Sequence, residues 1–146
     1  MFHIRVERLI RKDIDAVFGA LSDHARYDRF AGVTRSTLLE CGRLEDNGEG
    51  ALRYIASGAI EFYERITCFE RPTRMGYLIE KSAPFPIRHD RGDIVLAPAG
   101  GGGTLVVWES EGHIEIPILG SLVLDRLTES RGTRMFDRFL RSIESS

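Results

Sequence analysis

The feature that most constrains this chain is its last quarter. After a run of short strand-like segments, residues from about Leu119 to Ile143 read as one amphipathic helix. Leu124, Leu127, Met135, Phe136, Phe139 and Ile143 share one broad side, while Asp125, Glu129, Arg134, Asp137, Arg141 and Glu144 fall mostly elsewhere. About 25 residues at 1.5 Å each span roughly 37 Å, enough to cross a small sheet. One long helix closing a set of antiparallel strands implies a curved sheet wrapped around it, an arrangement that readily encloses a pocket. Gly132 sits in the polar stretch Thr128 to Arg134 and weakens the helix there, so a bend is predicted at that point.

Phe2 to Ile10 alternates, with Phe2, Ile4 and Val6 on one parity and His3, Arg5 and Glu7 on the other, as in a half-buried strand. Asp13 is an N-cap for a short helix carrying Ile14, Val17, Phe18 and Leu21, and Ser22 or Asp23 starts a second one ending near Phe30. Six further strands are predicted: Val33 to Cys41, Gly50 to Ser57, Ala59 to Glu70, Arg74 to Lys81, Ile87 to Ala97 and Thr104 to Ile114. Turn signals separate them, from Asp46-Asn47-Gly48 to the Gly100–Gly103 run, and the short connections argue for antiparallel hairpins. The expectation is an α+β fold of about seven strands in a single domain over residues 1–146.

Composition narrows the function classes. A net charge of -2, with arginines dispersed among acids, gives no electrostatic case for nucleic acid. The longest uncharged apolar stretch, Ile116 to Leu124, is about half of a membrane span, so no stable membrane insertion is expected. Phe2 to Ile10 is too charged for a signal peptide, and Cys41 and Cys68 read as two free thiols, so a cytoplasmic protein is expected. His3, His24, His89 and His113 show no metal-ligand spacing, and the Gly100–Gly103 run has no lysine after it, so neither a metal nor a phosphate-bound cofactor is expected. Arg91-Gly92-Asp93 resembles an adhesion tripeptide by chance, and no serine or cysteine nucleophile motif is found.

The element order carries a run of local signatures. They are Gly48-Glu49-Gly50 leading to Arg53, Glu64-Arg65-Ile66-Thr67 with Phe69 and Arg71-Pro72, Tyr77, Pro84 to Pro86, and the Gly100–Thr104 turn with Val106 and Trp108. Over nearly the whole chain this resembles the START/Bet v 1-like (SRPBCC) superfamily, in its bacterial polyketide cyclase/dehydrase and lipid-transport-like branch. The resemblance implies a helix-grip fold that binds hydrophobic ligands between the sheet and the terminal helix. Plant abscisic-acid receptors share a similar arginine, Glu-Arg pair and aromatic strand position. That likeness would turn Arg53, Glu64 and Tyr77 into the cavity and place Trp108 on its wall. The chain lacks a matching lysine near Leu38 to Cys41 and a matching gate loop at Pro84 to Arg88, so hormone reception is not implied.

Strand parity is an independent check. With Glu64 inward, Ile60, Phe62, Ile66 and Cys68 follow, an otherwise apolar set. Trp108 brings Thr104, Val106 and Ser110; Arg53 brings Ala51, Ile55 and Ser57 and leaves Leu52 and Tyr54 outside. The candidate ligand-binding set is Arg53, Ile55, Phe62, Glu64, Ile66, Tyr77, His89, Val106, Trp108, Met135 and Phe139, with His89 at the entrance or exposed. Arg53 and Glu64, the candidate catalytic groups, either pair with each other or orient a carbonyl or hydroxyl of the ligand. The leading expectation is a binder or carrier of a lipid, polyketide or isoprenoid. The alternative is a cyclase or dehydratase with Glu64 as acid/base, and an interaction module would show a large apolar patch on the outer sheet face.

Overall fold

A computed structural model describes residues 1–146. Strand β1 (Phe2–Ile10) is followed by helix α1 (Ile14–Ser22) and a 3-10 segment (His24–Arg29). Then come β2 (Arg35–Glu40), β3 (Leu52–Ser57), β4 (Ile60–Glu70), β5 (Arg74–Ala83), β6 (Ile87–Pro98), β7 (Thr104–Ile114) and the long helix α2 (Asp125–Ser145). All seven strands form one antiparallel, curved sheet in the order β1-β7-β6-β5-β4-β3-β2. Six strands run as a meander, and β1 returns to pair with the last of them. The two edges are therefore β1 and β2, and the chain between them supplies α1 and the 3-10 segment.

Local chemistry accounts for these elements. The Asp13 carboxylate caps α1 by accepting from the Ala16 amide at 3.0 Å. Strand β7 alternates buried and half-buried along its whole length, so Thr104, Val106, Trp108, Ser110, Gly112 and Ile114 share the concave face. Helix α2 lays Phe136, Phe139, Leu140 and Ile143 against that face, where Trp108 stacks on Phe136 at 4.0 Å and meets Phe139 edge-on at 5.7 Å. The convex face carries ion pairs instead, such as Arg65 with Glu80 and Arg91 with Glu109.

Two expectations change. The bend predicted at Gly132 is absent: α2 is continuous, and Gly132 is buried against β1, where a Cβ would stand 2.3 Å from Ile4 Cδ1. The irregularity lies earlier, in a π-turn over Gly120–Leu124 preceded by Ile118 with φ of 68°. Tyr54 lies on the convex face but is buried, its hydroxyl donating to Glu61 at 2.8 Å and its ring set edge-on to Tyr63. On the outer sheet face Leu9 of β1 and Val95 of β6 are exposed, flanking the half-buried Leu105 and Val107 of β7, and a second exposed apolar group, Ile118, Leu119, Leu122 and Val123, gathers just before α2.

Candidate functional site

Between the sheet and α2 lies a cavity of about 230 Å³, and 19 of its 28 lining residues are hydrophobic. Ile55, Phe62, Ile79, Trp108, Met135 and Phe139 build much of the wall, and Pro84 and Phe85 contribute from the β5–β6 connection. The charged lining residues are Arg53 and Glu64 on the sheet and the exposed Arg131 on α2. An engineered cavity of about 150 Å³ takes up benzene, whereas drug-sized sites run from roughly 300 to 1,000 Å³. The space therefore suits a compact apolar molecule.

Arg53 and Glu64 stand directly opposite each other on β3 and β4. Arg53 Nε and Nη2 both approach Glu64 Oε1, at 2.9 and 2.8 Å. Nη1 donates to the Tyr27 hydroxyl at 2.8 Å and to His24 Nδ1 at 3.2 Å, and the guanidinium lies over the rings of Tyr27 and Tyr77. Burial alone would lower the Arg53 pKa, but Tyr27 and Glu64 outweigh it and raise the net value. Because Nδ1 accepts, the neutral His24 ring carries its proton on Nε2, which donates to the Asn47 carbonyl at 2.8 Å. Burial, with the Arg53 charge beside it, pulls the His24 pKa down to about 3. The Tyr27 hydroxyl donates in turn to the Leu21 carbonyl, and burial raises its pKa. One oxygen of the cluster remains open. Glu64 Oε2 receives no protein hydrogen bond, yet it is not sealed off, since the only buried side-chain polar atom without a partner is Arg8 Nε.

On the other side of the cavity floor, Trp108 Nε1 donates to the Tyr77 hydroxyl at 2.9 Å. Burial drives the Tyr77 pKa upward, keeping the phenol protonated. Tyr77 has room because β6 presents Gly92 opposite it; a Cβ there would come within 2.6 Å of the ring. The tripeptide that resembles an adhesion signal thus contains a packing glycine.

Of the eleven candidate residues, Arg53, Ile55, Phe62, Glu64, Tyr77, Trp108, Met135 and Phe139 lie on the cavity wall. Ile66, Val106 and His89 do not. Ile66 and Val106 belong to the solid core at the end of the sheet covered by α1, where Phe18 packs edge-on against Phe69 at 5.2 Å. His89 sits neither at the entrance nor in solvent. The register of β6 against β7 shifts between His89 and Arg91, so His89 turns to the concave face, stacked on Tyr77 at 5.5 Å behind Ser110. His24 and Tyr27 lie outside the eleven candidates. Their only signal was a tyrosine and a histidine within a short polar segment. Ser110, inward by strand parity, is also outside that set and lines the cavity.

Other clusters are weaker. Cys41 and Cys68 are free thiols. His3, Glu109 and Glu111 converge on the convex face, a set the histidine spacing did not reveal, but Arg91 already bonds both carboxylates there at 2.8 and 3.4 Å. No helix is long and apolar enough to cross a membrane.

Comparison with known proteins agrees with this architecture. The chain superimposes on a START superfamily protein from Mycobacterium smegmatis with a TM-score of 0.80 and 10% identity, over 100% of both chains. A Thermus thermophilus protein gives 0.75 and 21% identity, over 98% of this chain and 94% of that one. The di-domain ARO/CYC protein BexL, of the BE-7585A biosynthetic pathway, gives 0.74 and 16% identity, over 99% of this chain and 47% of that one. At such identities the likeness concerns the fold alone. No curated protein matches the chain in sequence. The family described as polyketide cyclase / dehydrase and lipid transport matches residues 1–146, and to that family the chain belongs.

Proposed function

We propose that this protein binds a hydrophobic small molecule, of the lipid, polyketide or isoprenoid kind, in the cavity between the sheet and α2. The observation that carries this reading is an apolar chamber of about 230 Å³ whose floor holds a buried ion pair with one carboxylate oxygen still open. Apolar walls supply affinity in proportion to the area they cover, and a few fixed polar groups supply orientation. Arg53 holds Glu64 in place through Oε1, so Oε2 is available to a hydroxyl or amide of the ligand. The free thiols and the lack of a membrane-crossing helix are compatible with a carrier working inside the cell.

Native mass spectrometry of the purified protein, with solvent extraction and a panel of fatty acids, isoprenols and aromatic polyketides, tests this reading. A bound or selectively captured apolar molecule is expected. Protein that stays empty across the panel contradicts it. The open Oε2 is also the atom on which a cyclase or dehydratase would rely. Turnover of a polyketide by the protein that is lost in Glu64→Gln would turn the assignment from carrier to enzyme.

A further inference from the structure

The hydrogen-bond directions around Ser110 add a second half to the polar floor. The Ile79 amide donates to His89 Nδ1 at 3.0 Å, so that nitrogen holds a lone pair. The neutral imidazole therefore carries its hydrogen on Nε2, which faces Ser110 Oγ at 2.8 Å and donates to it. This is the reverse of the arrangement a serine nucleophile needs, in which the hydroxyl donates to the imidazole. Ser110 is held as an acceptor of the His89 proton, and its own hydrogen must point elsewhere. Tyr77 is in the same position, because its oxygen accepts the indole N–H of Trp108.

Two hydroxyl oxygens thus each receive an N–H, and two hydroxyl hydrogens remain. Neither hydrogen has an acceptor among the protein's hydrogen bonds, and both residues line the cavity. Glu64, whose charge is felt at Tyr77, offers the open Oε2 on the same floor. The floor therefore presents two neighbouring hydroxyl donors and one anionic acceptor, surrounded by apolar walls.

We propose that the cavity selects molecules bearing a hydroxyl and a carbonyl close together on an apolar skeleton. The hydroxyl donates to Glu64 Oε2, the carbonyl accepts from the Ser110–Tyr77 pair, and His89 is the positioning residue that fixes the direction of that pair. The proposal rests on the ligand-binding reading above and narrows it to a chemical class. A purely hydrocarbon ligand leaves both polar groups facing apolar surface, and a simple ketone or alcohol leaves one of them so. The neutrality of His89 at physiological pH, with burial pulling its pKa down to about 4, agrees with the fixed tautomer.

The probes are four molecules with one skeleton: bibenzyl, diphenylethanol, deoxybenzoin and benzoin. Titration followed by the fluorescence of Trp108, the only tryptophan, is expected to rank benzoin about tenfold or more above deoxybenzoin and diphenylethanol, one hydrogen bond each. In His89→Leu and in the double variant Ser110→Ala with Tyr77→Phe the ratio of benzoin to diphenylethanol affinity should fall toward one. His89→Gln, whose amide accepts from Ile79 and donates to Ser110, should restore it. A purely structural role for His89 would move the melting temperature without moving that ratio. Equal affinities for all four skeletons overturn the proposal while leaving a hydrophobic binder in place. Failure of all four to bind also overturns it, and combined with an empty result from the lipid panel it removes the binding reading as well.

Discussion

Arg53 is 1% exposed, and all its polar contacts are to Glu64, Tyr27 and His24. Breaking one side of a buried pair leaves an uncompensated charge, whereas replacing both partners does not. Arg53→Met should therefore destabilise the fold by about 3–5 kcal/mol, and Arg53→Met with Glu64→Leu should recover most of that loss, measured by urea unfolding. The same cluster sets a pH dependence. His24 and His89 have pKa values lowered from 6.5 to about 3 and about 4. Below about pH 6.5 the unfolded chain takes up protons that the folded protein refuses, so stability falls as pH falls through that window. From neutral pH to pH 5 each ring should cost about 2 kcal/mol. His24→Gln, which keeps both hydrogen-bond directions, should flatten part of the slope; an unchanged slope would contradict the assignment.

At the scale of elements, α2 passes close over β1 at Gly132, where a Cβ would stand 2.3 Å from Ile4 Cδ1. Alanine there raises helix propensity by about 1 kcal/mol, yet overpacking by a methyl typically costs about 1–3 kcal/mol. Gly132→Ala should destabilise the protein, and by less in an Ile4→Val background, which removes Cδ1 but keeps Cγ1 at 3.2 Å from the new Cβ, as thermal unfolding would register. From sequence the glycine marks only a weak point in the helix, because a propensity scale contains no neighbouring strand. Much of the rest was legible at this scale. The alternation in β1 and β7 marks the concave face, and the parity of β4 turns Glu64 and Phe62 together toward α2. Register shifts were not legible. The one beside Asp90 reverses the parity of β6 and carries His89 inward, and no residue in Arg88-His89-Asp90-Arg91 signals it. The His24–Tyr27 contribution was hidden for a related reason, since a short 3-10 segment has no long periodicity to read.

For the whole molecule, the central claim is that the sheet and α2 meet around a chamber instead of closing on each other. Ile66 and Val106 show where the interior is solid, and Ile55, Phe62 and Phe139 show where it is not. The apolar residues exposed between Ile118 and Val123 lie just before Leu124 and Leu127, which line the chamber, so one rim of it is greasy. The most direct measurement is titration with the neutral fluorescent probe N-phenylnaphthylamine, comparing the protein with Ile55→Trp, which fills the chamber from the β3 wall. The account predicts saturable binding at one site, lost in the variant while its melting temperature shifts by only a few degrees. No binding to either protein, or equal binding to both, would contradict it.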